Sequence, residues 1–290
     1  MARNPVAQTA FGPMVLAAVE QNEAPGHRLV DDDLAELFLP ASLRLLVGAT
    51  RWGPARRLMI RGSEFTGPGL WVNMACRKHF IDDKLKAALD DIGAVVILGA
   101  GLDTRAYRLT RQARIPVFEV DQPVNIAMKA KTVRRVLGEL PLSVRLVALD
   151  FEHDDLLTSL AEHGYRTDYR TFFICEGVTQ YLTEDGVRRT LEGLRAAAPG
   201  SRLVFTYVQR DFIEGTNRYG TRTLYRNTRE RHQIWQFGLE PDEVAGFIAE
   251  YGWRLVEQAG PDEFVQRYVE PAGRNLPASQ LEWSAFAEKT

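Results

Sequence analysis

Four short segments of this chain place glycine or charged residues directly after apolar runs, where a chain leaving a sheet can meet a ligand. The first is Val95-Val-Ile-Leu-Gly-Ala-Gly-Leu-Asp-Thr-Arg105. Its Gly99-Ala100-Gly101 turn lets the backbone approach a ligand closely at the carboxyl end of a strand. Asp103 and Arg105 follow at a helix start. A dinucleotide site wants a third glycine, and that position is Thr104. Asp103 at the helix N-terminus would also repel a pyrophosphate. A nucleoside with a sulfonium, an ammonium and a carboxylate, but no phosphate, fits better. S-adenosylmethionine is that molecule. The second segment, Val117-Phe-Glu-Val-Asp-Gln-Pro123, ends a strand on Asp121 and Gln122, and an acid there accepts from both ribose hydroxyls. Glu119 shares its strand face. The third, Leu149-Asp150-Phe151, offers a carboxylate for an adenine amino group and a ring for its face. The fourth, Cys175-Glu176-Gly177-Val-Thr-Gln-Tyr-Leu182, puts Glu176 where it would hold an ammonium or balance a sulfonium.

These segments need a scaffold. Residues 1–90 read as a helical N-terminal cap, with a breaker-rich loop from Arg61 to Gly69. Residues 91–208 read as a cofactor-binding core of alternating strands and helices. The strands are Ala94–Leu98, Val117–Val120, Val144–Leu149, Thr171–Cys175 and Arg202–Tyr207, apolar on both faces as strands covered on both sides should be. Helices are predicted over Ala127–Leu137 and Gly186–Ala198, the latter capped by Thr183. Residues 209–240 read as a lid insertion. Residues 241–290 read as a helix, opened by Pro241 and closed by Gly252, then a hairpin of Arg254–Ala259 and Phe264–Tyr268. The expected fold is α/β: one domain, 1–290, with a doubly wound, mostly parallel seven-stranded sheet ending in an antiparallel hairpin. That is the class I methyltransferase, Rossmann-like shape.

The run of motifs resembles the leucine carboxyl methyltransferase family, including its bacterial members that act on small molecules. The matching pieces are Val96-Ile-Leu-Gly-Ala-Gly-Leu-Asp-Thr-Arg-Ala-Tyr-Arg-Leu109, Phe118-Glu-Val-Asp-Gln-Pro123, Leu149-Asp150, Cys175-Glu-Gly-Val-Thr-Gln-Tyr-Leu182 and Phe237-Gly-Leu239. In order and spacing they cover about residues 70–260. The resemblance implies that Gly99, Asp121, Asp150, Phe151 and Glu176 contact the cofactor. It also implies that an N-terminal arginine clamps the methionine carboxylate, a bidentate pairing that suits a guanidinium. The family carries Arg-Thr followed by an aromatic and acidic residues. This chain has Arg77-Lys-His-Phe-Ile-Asp-Asp83, so Arg77 matches and Lys78 stands in place of the threonine.

Methyl transfer from a sulfonium is an in-line displacement, in which the protein aligns the nucleophile and excludes water. A carboxylate acceptor needs no base at pH 7, whereas a phenol would. Candidates for contact with the reacting oxygen are Tyr181, Tyr207 and Gln209, at the pocket's mouth; His79, beside Arg77, and His232, in the insertion, are candidate bases for a hydroxyl acceptor. The stretch Gln209 to Gln236 holds six arginines with Tyr219, Tyr225 and Trp235. From it, Arg222, Tyr225 and Trp235 are expected to face an acidic or aromatic acceptor.

Composition bounds the rest. The 290 residues carry 36 basic and 38 acidic side chains, a net charge of −2, which argues against a nucleic-acid or anionic-membrane binder. Two cysteines in apolar context, Cys76 and Cys175, fit reduced thiols in a cytoplasm, and no metal-ligand spacing occurs. The N-terminus lacks the pattern of a signal peptide, and no apolar stretch has the length of a spanning helix. The expectation is an S-adenosylmethionine-dependent, metal-free O-methyltransferase that yields S-adenosylhomocysteine. Its acceptor is a carboxylate or hydroxyl of a small secondary metabolite such as a polyketide. Alternatives are a non-methylating cyclisation or isomerisation in the same pocket, methylation of a protein C-terminus, a nicotinamide oxidoreductase and a non-catalytic binding module. The N-terminal helices could support a homodimer.

Overall fold

The computed structural model describes residues 11–109 and 115–290. Seven strands form one sheet in the order β3-β2-β1-β4-β5-β7-β6. They are β1 (Ala94–Leu98), β2 (Val117–Asp121), β3 (Val144–Ala148), β4 (Thr171–Cys175), β5 (Arg202–Val208), β6 (Trp253–Ala259) and β7 (Glu282–Lys289). The first five pair in parallel, with Val96 opposite Phe118 on one side and Phe173 on the other. β7 runs antiparallel to both β5 and β6. The expected α/β, doubly wound methyltransferase sheet is present.

Every residue of β1, β2 and β4 is buried, which is why these runs lack alternation. On one face Val95 and Ile97 pack with Trp71, Ala75, Phe80 and Ile81 of the helix Leu70–Ala88. On the other, Val96 and Leu98 pack with Leu160, Val187 and Leu191 of the helices Leu156–Glu162 and Glu184–Gly193. The chain goes from β1 outward to β2 and β3, then returns to β4 and β5. Strand order therefore reverses between β1 and β4. At such a switch point the loops leaving the two strands diverge and open a crevice at their carboxyl ends.

Three expectations need correction. The segment 264–268 is no strand: Pro261–Phe264 is a helix, continued by a π-helical turn over Val265–Val269. Pro261 presets the helix start, and Glu263 accepts the Gly260 N–H at 2.9 Å. The antiparallel partner is β7 instead, which enters between β5 and β6 after a return path through residues 260–281. Its sequence, Glu-Trp-Ser-Ala-Phe-Ala-Glu-Lys, has two strand-favouring aromatics but no β-branched residue, and its glutamates, alanines and lysine dilute the signal. Arg61 to Gly69 is mostly helix: Gly53–Thr66 runs through Gly62 and stops at Gly67. One glycine costs a helix only about 1 kcal/mol; the cluster Gly67-Pro68-Gly69 ends it. The helices expected over 127–137, 186–198 and 241–252 occupy Pro123–Leu137, Glu184–Gly193 and Val244–Ala249. Thr183 caps the second of these, accepting from Gly186 N at 3.1 Å.

Candidate functional site

β1 leaves the sheet at Gly99, whose φ is +66°. A Cβ there would lie 2.2 Å from Val178 Cγ2, so the loops after β1 and β4 touch only because residue 99 has no side chain. Gly101 N donates to Asp121 Oδ2 at 2.6 Å, and Ala100 N donates to Val120 O at 3.0 Å. Asp121 Oδ1 also accepts from Gln122 N at 2.7 Å and Asn125 Nδ2 at 2.8 Å. Asp121 is thereby locked at the crevice rim. A carboxylate accepts about four hydrogen bonds, so these three leave room for a ribose hydroxyl.

Beneath the loop lies a support that sequence reasoning missed. Lys129 is buried, donates to Ala100 O at 3.2 Å and Asp103 O at 2.7 Å, and pairs with Glu119 at 2.7 Å. Tyr107 donates its hydroxyl to the same carboxylate at 2.5 Å. Glu119 therefore braces the loop from below and does not share the rim with Asp121. Burial pushes its carboxyl up, against the pull of Lys129.

The opposite wall is a buried charge cluster assembled from four segments. Arg105 donates to Asp82 at 2.5 Å, Asp103 at 2.5 Å and Glu176 at 2.6 Å, and reaches Lys78 O at 3.2 Å. Arg77 donates to Glu176 at 3.0 Å and, through Nη1, to both oxygens of Glu282 at 2.7 and 2.5 Å. Arg108 closes on Asp82 at 2.8 Å. Gly177, with φ +66°, makes room for Arg77: a Cβ there would sit 3.2 Å from Nη2. The expected carboxylate clamp thus has two of its donor nitrogens committed, one of them to Glu282 on the unforeseen last strand. Lys78 is different. Its buried ammonium lies 3.7 Å from Glu176 Oε1 and, among the described residues, has no hydrogen-bond acceptor in reach. Glu176 has one bond to each oxygen and keeps acceptor capacity for an ammonium.

Burial pushes the carboxyls of Glu176, Asp103 and Asp82 up, but the cations outweigh it: Lys78, Arg105 and Arg77 around Glu176, Arg105 and Lys78 beside Asp103, Arg105 and Arg108 beside Asp82. All three end below the ordinary carboxylate range. A carboxyl depressed in the folded state stabilises the fold above its unfolded value and loses that contribution as pH falls through the folded one. Glu119 acts in the opposite sense. With three buried groups against one, the melting temperature should hold from about pH 7 to about pH 5 and drop below about pH 4. A thermal-denaturation series that stays level down to pH 3 would refute this.

The other expected residues divide. Asp150 is half-exposed and accepts from Glu152 N at 3.0 Å, closing its own turn, while Phe151 is buried in the core beside it. Tyr181 stands edge-on to Trp235, with centroids 6.1 Å apart at 90°. Trp235 and Tyr225 both pack on Phe212, so the insertion rests as an aromatic cluster on the crevice side of β5. The Trp235 Nε1 is buried with no hydrogen-bond partner among the described residues. Arg222 is exposed on the short helix Arg222–Tyr225 and does not turn inward. Tyr207 is fully buried and donates to Gln258 at 2.6 Å, which removes it from the expected contact role. His79 is likewise diverted: two positions along a helix from Arg77, it stacks on Tyr268 at 4.4 Å and bonds to Leu29 O at 3.0 Å. Both cysteines are free and buried, and burial pushes the Cys175 thiol up to about 12. Among the described residues no three His, Cys, Asp or Glu side chains are grouped to hold a metal.

A mostly parallel sheet with two antiparallel strands at its end, a glycine turn at the switch point and an acid ending β2 together define the class I methyltransferase fold. The leucine carboxyl methyltransferase family model matches residues 10–195, and the chain belongs to that family. A Mycobacterium bovis protein with the provisional name S-adenosyl-L-methionine-dependent methyltransferase is 30% identical over 290 residues, covering 97% of this chain and 92% of the relative. A Mycobacterium tuberculosis protein of the same provisional name is 35% identical over 223 residues, covering 72% of this chain and 68% of its own. Among solved structures, one provisionally described as a methyltransferase from Thermobifida fusca aligns at a TM-score of 0.57 and 19% identity, covering 92% of this chain and 98% of that one.

Proposed function

We propose that this chain is an S-adenosylmethionine-dependent O-methyltransferase acting on a carboxylate, or else a hydroxyl, of a small metabolite such as a polyketide. The observation that carries the reading lies at the switch point: a fixed acid, Asp121, on one side and, on the other, the Lys78 ammonium, ion-paired with Glu176 at 3.7 Å but with no hydrogen bond among the described residues. Those two groups suit a ligand with a ribose diol at one end and a carboxylate at the other. Family membership and the relatives' names point to the same cofactor.

In this reading Asp121 takes a ribose hydroxyl, with Gln122 beside it. Asp150 takes the adenine amino group and Phe151 backs the ring. Glu176 accepts the methionine ammonium. Lys78, alongside the remaining Arg77 donor, holds the carboxylate. Bound there, the cofactor supplies an electrophilic methyl group. The chain's own task is to hold an acceptor oxygen in line with it and keep water out. Tyr181, Tyr225 and Trp235 offer an aromatic wall for that acceptor. The Trp235 Nε1 would donate to it, since a buried donor without a partner is costly until one arrives.

The test is to measure melting shifts with S-adenosylmethionine, S-adenosylhomocysteine and NAD, then to look by mass spectrometry for a methyl gain on a panel of aromatic and polyketide acids. Stabilisation by the first two and a gain on an oxygen are expected. Stabilisation by NAD alone would overturn the reading. Turnover of an acceptor without S-adenosylhomocysteine release would assign a non-methylating reaction instead. Lys78→Met should weaken S-adenosylmethionine by about 10- to 100-fold in titration calorimetry, the worth of a hydrogen bond to a charged group. Its melting temperature should also fall, but less than on loss of Arg105, because Glu176 and Asp103 lose one cation and keep Arg105. Unchanged affinity would remove Lys78 from the site.

A further inference from the structure

The net charge of −2 averages over one segment that is unlike the rest. Residues 37–63 contain five arginines, Arg44, Arg51, Arg56, Arg57 and Arg61, and no acidic residue. They form the helix Ala41–Ala49, the turn at Trp52 and most of the helix Gly53–Thr66. Arg56 is claimed by Glu23 at 2.7 Å and Arg51 reaches Glu36 at 3.4 Å. Among the described residues Arg44, Arg57 and Arg61 pair with no carboxylate, and all three are exposed. Between them stand Leu45 at 78% exposure, Trp52 at 69%, Leu58 at 74% and Phe65 at 90%. Leu58 and Phe65 are seven residues apart, on one face of their helix, and Arg57 and Arg61 flank that line.

We infer that this face docks the protein peripherally on an anionic lipid bilayer. Three observations select that occupant. The free charges are all positive, so the partner brings negative charge. A second copy across a two-fold would set Arg57 and Arg61 against their own kind, with no acid in the segment to offset them. The apolar side chains stand out from two consecutive helices and the turn between them, and a bilayer interface accepts protruding rings and leucines without preformed pockets. No helix among the described residues is long and apolar enough to cross a membrane, which limits the contact to the interface. The Gly53–Thr66 helix also packs on the Arg222–Tyr225 helix of the aromatic insertion. If the proposed acceptor site is right, docking sets its cover at the lipid surface, where a lipophilic acceptor would partition. That corollary rests on the proposed function; the docking itself does not.

The full-length protein should co-sediment with vesicles of phosphatidylcholine containing about one third phosphatidylglycerol, at least about tenfold more than with phosphatidylcholine alone, and raised salt should release it. Arg57→Gln with Arg61→Gln, and separately Leu58→Ser with Phe65→Ser, should each abolish sedimentation. The S-adenosylmethionine melting shift of both variants should stay that of the parent, which shows that they fold. No vesicle binding by the parent, or binding that survives both variants, would overturn the inference. So would a dimer in sedimentation velocity that the Leu58→Ser and Phe65→Ser changes dissolve, since the face would then belong to a second copy. Loss of the melting shift in the parent would count against the cofactor reading and leave the vesicle result to stand alone.

Discussion

Replacing Arg105 with methionine should destabilise the protein by about 3–5 kcal/mol, the usual loss when a buried ion pair is deprived of one partner. At roughly 2–4 °C per kcal/mol for a large domain, this is a fall in melting temperature of about 10 °C. The reason is geometric. One guanidinium, 2% exposed, serves Asp82, Asp103 and Glu176, which come from three separate segments. Its removal leaves carboxylates buried with fewer cations, and Arg77, Lys78 and Arg108 cannot move to all of them. Arg105→Lys should recover only part of the loss, because a single ammonium cannot span the three acids that the planar fork bridges. Burial raises and the cations lower these carboxyls, so without Arg105 their folded-state values rise and the further loss of stability below about pH 4 should be smaller than in the parent. A denaturant midpoint within about 1 kcal/mol of the parent would show that the cluster is not a cooperative unit.

The second large effect concerns Lys129. Lys129→Met should cost a similar 3–5 kcal/mol by stranding Glu119, which has no solvent exposure. Here a double variant separates two roles. Adding Glu119→Gln removes the stranded charge, and the pair replaced by near-isosteric neutral groups should regain most of the stability. Cofactor affinity should not return with it. Lys129 also fastens the carbonyls of Ala100 and Asp103 from below, and in the double variant the glycine loop, which the proposed reading sets against the cofactor, has lost both ties. Lys129 is thus a positioning residue, and the readout is S-adenosylmethionine titration set beside the melting curve. Recovery of both stability and affinity in the double variant would reduce the pair to a structural one.

Much of this protein was legible in its residues. The five parallel strands were found nearly to the residue because each is a short, mainly apolar run between breaker or polar residues, and β1, β2 and β4 are buried on both faces. The glycine turn was legible for a related reason: only glycine tolerates φ +66° with a Val178 methyl where its own side chain would be. Asp121, Glu176 and Arg77 were recognisable because a charge next to such a run, or in a family motif, needs a partner.

The partners themselves were decided in three dimensions. Glu282 lies 205 residues from Arg77, and β7, which carries it, has no β-branched residue to mark it as a strand. It exists because the gap between β5 and β6 supplies hydrogen bonds on both sides. Lys129 reads as one more basic residue on a helix until the helix is laid against the sheet. Tyr207 and His79 had suitable chemistry and neighbours in sequence, yet one was claimed by Gln258 on the next strand and the other faces Tyr268. Periodicity and local chemistry therefore specify the five parallel strands and the turns that follow them. Which charges satisfy one another depends on long-range burial, because a buried ion must find its counter-ion wherever the fold brings one within reach.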